Sequence, residues 1–321
     1  MKLSGRSGSR HILVTGATGF IGLNLIDKLL KDTNDYIYAL SNRQYLPNIY
    51  KDIPPNRLKS YLGDLSDFKS IRRIVTETKP EYVVHLGGMV DLDRSHKVVI
   101  SCVESNIKGT VNLLESIRGL GVKRFVFCST TEVYGERDAP FVETQEADVI
   151  SPYSITKLSG EMFCRLYFKL YGVPAVILRL SNIYGPWQKK QRLIPMIILA
   201  ALKGEDILLD SGDRIKDFCY VSDVVEALLG SLDSDKAINE IINIGSGKGV
   251  EIRVVAEAVV KETNSGSKII LRQGMSRALE NKVCYCDCNK AQETLGWTPK
   301  VDLKKGLRST IQWYELNTEK I

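Results

Sequence analysis

Tyr153 and Lys157 stand four residues apart in Tyr153-Ser-Ile-Thr-Lys157, a spacing that puts both side chains on one face of a helix. A lysine charge beside a phenol stabilises phenolate and lowers the tyrosine pKa. A tyrosine tuned in this way can take a proton from a hydroxyl, or return one, while hydride moves elsewhere. The pattern alone recurs by chance on surface helices. Its weight comes from Cys128-Ser-Thr130-Thr-Glu132-Val-Tyr-Gly135, which follows the apolar run Arg124-Phe-Val-Phe-Cys128. That order places hydroxyls, Thr130 among them, at the carboxyl end of a strand. A plain Ser/Thr turn is the competing reading.

A second constellation is Gly16-Ala-Thr18-Gly19-Phe20-Ile21-Gly22, between an apolar strand and a helical pattern. Glycines there permit a tight turn and a close approach of backbone to a pyrophosphate, which then rests on a helix N-terminus. The same logic bears on the form of the dinucleotide. An acid at the end of the next strand bonds the ribose hydroxyls of NAD, whereas the chain reads Ala39-Leu-Ser-Asn42-Arg43. Hydroxyl, amide and guanidinium groups suit an additional phosphate. NAD and NADP both remain open, with a lean to NADP. The competing reading is that Arg43 simply points to water.

These residues need a scaffold that brings strand ends together. The first half alternates short β-branched runs with helical patterns. Strands are predicted at His11–Thr15, Tyr36–Leu40, Arg57–Leu62, Tyr82–His85 and Arg124–Cys128. Helices are predicted at Phe20–Lys31, Phe68–Thr78, about Val98–Leu120 and Tyr153–Tyr171, with a further strand at Ala175–Arg179. Continuous apolar strands between helices predict an α/β fold, a Rossmann-type doubly wound parallel sheet. Its ligands bind beyond the carboxyl ends of the strands. The expected division is a flexible tail over 1–10, a dinucleotide-binding domain over 11–180, and a smaller substrate lobe over 181–321. Elements at about 215–245 are expected to return to the main domain.

In combination these motifs resemble the extended short-chain dehydrogenase/reductase family, in its nucleotide-sugar epimerase/dehydratase branch. The resemblance runs from about His11 to Tyr314. It implies that Gly16, Gly19 and Gly22, with Thr18, Phe20 and Ile21 in the same turn, hold the cofactor pyrophosphate. Asp64 and Leu65, in Gly63-Asp-Leu65, sit where the family contacts adenine. Leu86 and Gly87, in His85-Leu-Gly-Gly88, run along the cofactor, and Asn106 matches a structural asparagine. Thr130, Tyr153 and Lys157 match the catalytic set, with Tyr153 and Lys157 also touching the cofactor. On the substrate side, Thr130 faces the sugar. Asn182 matches a diphosphate contact, and Leu193, in Leu193-Ile-Pro195, begins a helix beside the nucleotide base. Lys216, in Lys216-Asp-Phe-Cys-Tyr-Val221, replaces the usual Arg and can meet phosphate only as a point charge. Arg277 falls on the second diphosphate-binding position. Leu295-Gly-Trp-Thr-Pro299 matches a structural C-terminal motif.

The resemblance implies an enzyme that oxidises a nucleotide-diphosphate sugar to a transient 4-keto form and then returns the hydride. Glu132 selects among the variants. Thr130-Thr-Glu132 resembles the T-x-E of GDP-mannose 4,6-dehydratase and UDP-glucuronate decarboxylase, where a carboxylate can remove the proton next to the ketone. A backbone-capping role for Glu132 is the competing reading. Two other functions stay open: an NADPH-dependent reductase of a keto sugar, and a non-catalytic cofactor-binding protein.

Bulk properties narrow the classes. The 321 residues are 44% hydrophobic and 26% charged, with a net charge of +6. Lys and Arg are scattered among Asp and Glu, which argues against nucleic acid. No apolar run is long enough to span a bilayer, and the polar start has no signal-peptide core. The expected location is therefore the cytoplasm. Seven cysteines are expected reduced there. Cys284, Cys286 and Cys288 alternate, which suits one buried strand face better than a metal site, and only three histidines exist. The resemblance implies a homodimer, built through helices at about 98–118 and 153–171.

Overall fold

A computed structural model describes residues 9–42, 46–91, 93–272 and 281–317. The first half runs β1 (His11–Thr15), α1 (Phe20–Asp32), β2 (Tyr36–Ser41), β3 (Leu58–Leu62), α2 (Phe68–Thr78), β4 (Tyr82–His85), α3 (His96–Cys102), α4 (Gly109–Ile117), β5 (Arg124–Thr130), α5 (Pro152–Tyr171) and β6 (Ala175–Leu180). The second half runs β7 (Asn182–Tyr184), α6 (Leu193–Lys203), β8 (Ile207–Leu209), β9 (Ile215–Tyr220), α7 (Val221–Asp233), β10 (Ile241–Ile244), β11 (Gly249–Glu251), α8 (Ile252–Glu262), β12 (Ile269–Leu271), β13 (Val283–Cys284), α9 (Asn289–Leu295) and α10 (Leu303–Asn317).

Seven strands form one parallel sheet in the order β10-β6-β5-β4-β1-β2-β3. Side chains alternate across it, so each strand feeds two cores. Ile12, Val14, Val126, Leu178 and Ile242 pack on one face with residues of α1, α7 and Trp297. Leu13, Val83, Phe125 and Ile177 pack on the other with residues of α2, α4 and α5. The chain winds outward in both directions from β1 and β4. The crevice beyond their carboxyl ends is thus the topological switch point where such sheets take ligands.

A separate core joins Ile194, Ile197 and Ile198 of α6, Val255 and Val259 of α8, and Leu307 and Tyr314 of α10. In this part β9 pairs with β7, β11 and β13. Of the elements between 215 and 245, β10 joins the main sheet, α7 packs on its face, and β9 does not join it.

Two sequence expectations change in detail. The long helix over Val98–Leu120 runs without interruption from His96 to Ile117 but is not uniform: α3 and α4 flank a π-helical segment at Val103–Lys108. Asn106 lies in that segment. Its side chain accepts from the Met89 amide and donates to the Met89 carbonyl and to Thr156 Oγ1. Fixing one side chain to both β4's exit loop and α5 outweighs the regular helical register. The three late cysteines share one cluster with Val133, Tyr134 and Phe141, though only Cys286 among them is fully buried. Cys286 is buried 3.4 Å from Asp217 and 3.7 Å from Cys288, while half-buried Cys284 lies 3.5 Å from Lys216 Nζ. The segment stays extended past β13, with Cys286 bridged to Phe141, which keeps the alternate cysteines on one side.

Candidate active site

The glycine turn joins β1 to α1 at the switch point. Gly16 has φ +67, and a Cβ there would lie 2.8 Å from the Gly87 nitrogen at the end of β4. A Cβ on Gly22 would come 2.4 Å from the Gly16 carbonyl oxygen. Both glycines let backbones approach where a side chain would not fit. Gly19 is the N-cap of α1 and makes no side-chain cap, so the first-turn amides face the crevice. This cradle fits a dinucleotide pyrophosphate. Thr18, Phe20 and Ile21 are all half-buried around it.

The neighbouring loops are tied to the cradle. Thr15 Oγ1 accepts from the Gly87 amide, and Thr15 and Thr110 bond the two ring nitrogens of fully buried His85. Thr110 spends its proton on the Asn106 carbonyl, so His85 must donate from Nε2 and accept at Nδ1. Burial, then the charge of Lys157, lowers the His85 pKa to about 3. His85 is therefore a neutral spacer and not an acid/base. Leu65 packs under the same site: a Cβ on Gly87 would meet its Cδ1 at 2.6 Å. Gly63 bonds the carbonyl of Ser41 at the end of β2, which sets exposed Asp64 beside exposed Asn42. Arg43 lies outside the described residues.

The reacting end lies at the carboxyl end of β5. Thr130 ends the strand, and its hydroxyl accepts from the Glu132 amide at 3.2 Å. Ser151 caps α5 in a reciprocal capping box with Ser154 and also donates to Glu132 Oε1 at 2.5 Å. Glu132 thus ties the β5 exit to the first turn of α5, which carries Tyr153. Tyr153 and Lys157 are both buried on α5. Lys157 Nζ lies 4.3 Å from the Phe127 ring centroid.

The electrostatics correct one expectation. The Tyr153 phenol is raised above its ordinary range, first by burial and then by the Glu132 carboxylate. Hydrogen bonding with Thr130 and the charge of Arg192 pull the other way. Lys157, itself desolvated and lowered to about 8, does not offset burial and Glu132.

With this geometry in view, the chain can be set beside known proteins. The GDP-mannose 4,6-dehydratase family description matches residues 13–310. The chain is 33% identical to the dTDP-glucose 4,6-dehydratase of Salmonella typhimurium, over 96% of this chain and 93% of that one. It superposes on the UDP-glucose 4-epimerase of Thermotoga maritima, solved with UDP-glucose, with TM-score 0.88 and 31% identity, covering 96% of this chain and 99% of that one.

The chain belongs to the GDP-mannose 4,6-dehydratase family.

This places it in the nucleotide-sugar branch of the extended short-chain dehydrogenases/reductases. A further structural neighbour is the UDP-glucuronic acid 4-epimerase of Bacillus cereus with UDP-glucuronic acid and NAD. Its TM-score is 0.87 at 27% identity, covering 95% of this chain and 99% of that one.

On the side of the site away from the cradle, this member of the GDP-mannose 4,6-dehydratase family pairs β7 with β9. That pairing sets Asn182 opposite Phe218, two residues beyond Lys216. Exposed Asn182 donates to the Asp217 carbonyl at 3.3 Å. Lys216 Nζ reaches the Asn281 carbonyl and Cys284 Sγ, each at 3.5 Å. Half-buried Leu193 opens α6. Arg277 lies outside the described residues.

Three features escaped the sequence reading. Arg192, the N-cap of α6, donates to the Val90 carbonyl at 3.1 Å and acts on the Tyr153 phenol; its one signal was its place before Leu193-Ile-Pro195. Ser151 stood before Pro152 as a cap signal and was not weighed. Glu161 and Arg179, buried together, had no signal beyond being charged residues within apolar segments.

Proposed function

We propose that the chain oxidises a nucleotide-diphosphate sugar at C4 and then acts on a carbon next to the transient ketone, as a 4,6-dehydratase does. The observation that carries this is Glu132: its carboxylate is close enough to the Tyr153 phenol to raise it and is held by Ser151. A simple 4-epimerisation needs no such carboxylate, because hydride returns to the opposite face of the same carbon. The relatives named as dehydratases support the same choice.

A bound nicotinamide dinucleotide supplies the hydride acceptor and donor. Around it, the glycine cradle and Leu65, Leu86 and Gly87 orient the cofactor. Tyr153 takes the proton from the sugar hydroxyl, with Thr130 hydrogen-bonded beside it, and Lys157 supplies the nearby positive charge. Glu132 takes the proton next to the ketone and gives it to the neighbouring hydroxyl, which leaves as water. Asn182 and Lys216 meet the diphosphate, Arg277 adds a second cation there, and Leu193 faces the base. Neighbours with NAD support that cofactor. The absence of an acid at Ser41-Asn42-Arg43 supports NADP.

We also place the dinucleotide lobe at 11–180 and the substrate lobe at 181–321, with α7 and β10 serving the former, and the enzyme in the cytoplasm as a homodimer. Support for the dimer is an exposed apolar stripe, Ile155, Met162, Leu166 and Leu170, on α5. Ile100 and Val103 are exposed beside it in sequence positions 98–118.

The test is product analysis by NMR with UDP-glucose, dTDP-glucose, GDP-mannose and UDP-glucuronic acid. A 4-keto product formed with loss of water from one of them is expected. A C4 epimer as the sole product would replace this reading by epimerisation.

A further inference from the structure

A buried ionic cluster lies behind α5. Arg179 of β6 and Glu161 of α5 expose only 4% and 2% of their side chains. The guanidinium grips the carboxylate with two bonds, Nε to Oε1 at 3.0 Å and Nη2 to Oε2 at 2.7 Å. Ser129 of β5 donates to the same carboxylate at 2.5 Å. Arg179 also lies 4.7 Å from the Tyr134 ring centroid, and Tyr134 bonds Asn243 of β10. Such a pair is a poor device for stability alone, since well-packed apolar side chains do as well or better.

Its position gives it another use. Tyr153, Lys157 and Glu161 occupy successive turns of one face of α5, and Ser129 directly precedes Thr130. Between them Gly160 brings α5 so close to β5 that a Cβ would lie 2.4 Å from Phe127 Cζ. We propose that Glu161 is a positioning residue: gripped by Arg179 and Ser129, it holds the Tyr153–Lys157 face of α5 against the Ser129–Thr130 end of β5 and supplies the negative charge that Lys157 faces. This rests on the reading of Tyr153 and Lys157 as the proton-handling pair.

The surroundings of Lys157 make the claim measurable. Burial pulls its pKa down to about 8, and Cys128, Cys164 and Glu161 oppose that. Burial raises the Cys128 thiol to about 12 and the Cys164 thiol higher still, and His85 from β4 is neutral. Glu161, ion-paired with Arg179, is therefore the carboxylate among them. Without it, Lys157 would lose its proton at lower pH.

The experiment titrates Lys157 through its 13Cε resonance in the full chain, with Lys157→Met identifying the signal. Glu161→Gln strands the Arg179 charge, so the double variant Glu161→Met/Arg179→Met serves as the folded control. Glu161→Gln should lower the Lys157 midpoint by about one unit or more, the double variant, which also removes the Arg179 cation, should lower it less, and Glu161→Asp should restore most of it. An unchanged midpoint in folded Glu161→Gln overturns the proposal. Ser129→Ala keeps the ion pair and cuts only the tie to β5. On whichever of UDP-glucose, dTDP-glucose or UDP-glucuronic acid the wild type converts, its kcat should fall about tenfold with KM little changed; an unaltered kcat rejects the positioning role. If the wild type converts none of these sugars, the proposed reaction fails while the titration still decides the role of Glu161.

Discussion

In the proposed reaction Glu132 and Tyr153 divide the proton transfers between them, and each has a distinct variant signature. Tyr153→Phe should leave folding and cofactor binding intact and lower turnover by about a hundredfold or more, the scale of a lost general acid/base. Turnover near the wild-type level would remove Tyr153 from the mechanism. Glu132→Gln should still permit the first oxidation and stop before the adjacent proton is taken, so reduced cofactor accumulates. Formation of product at the wild-type rate would instead make Glu132 a tie to Ser151 and nothing more. Lys157 gives a stability signature of opposite sign to its function. Its folded pKa of about 8 lies below its ordinary 10.5, so the folded state holds a buried charge below pH 8 at a cost of about 3 kcal/mol. That cost fades as pH rises from about 8 to 10.5, where the folded state has released its proton and the unfolded state has not. Lys157→Met should therefore raise stability at pH 7 in denaturant unfolding and lose this advantage near pH 10.5. A destabilised variant at pH 7 would show that the ammonium is well compensated in place.

At the scale of elements, β1, β4 and α4 are joined through the bonds of His85 to Thr15 and Thr110. A histidine held at about 3 is neutral in the fold when the unfolded chain, titrating near 6.5, is already charged. Its contribution is complete above pH 6.5 and is lost as pH falls toward 3. The wild type should lose stability in that window more steeply than His85→Gln, and equal slopes would place His85 in a different protonation state. These central strands were legible because short β-branched runs between helical patterns admit few alternatives: β1, β4 and α2 begin and end where the pattern predicts. The glycine turn was legible too, since Gly16 and Gly22 sit where backbone contacts exclude a Cβ. The π-helical turn at Val103–Lys108 was not, because Asn106 is held by Met89 and Thr156, which are 17 and 50 residues away. The pKa of Tyr153 failed for the same reason: i,i+4 spacing shows that Lys157 shares its face, but burial and Glu132 act through the tertiary fold.

In the whole molecule, two cores line the faces of the parallel sheet and a third joins α6, α8 and α10. The apolar stripe on α5 is the proposed dimer face, and Met162→Glu with Leu166→Glu should convert a dimer to a monomer in sedimentation; an unchanged mass would move the interface elsewhere. Calorimetry of NAD and NADP with the wild type and Arg43→Ala separates the two cofactors, since only a phosphate contact makes NADP binding depend on Arg43. The central claim is that a sugar is oxidised on the enzyme and the hydride is then given back. The most direct measurement follows the reduced-nicotinamide absorption of cofactor-loaded enzyme mixed rapidly with UDP-glucose, dTDP-glucose, GDP-mannose and UDP-glucuronic acid in turn. One of them should produce a transient rise that decays to baseline as product forms. Stoichiometric loss of added NADPH with a keto sugar, or no change with any nucleotide sugar, would contradict the account.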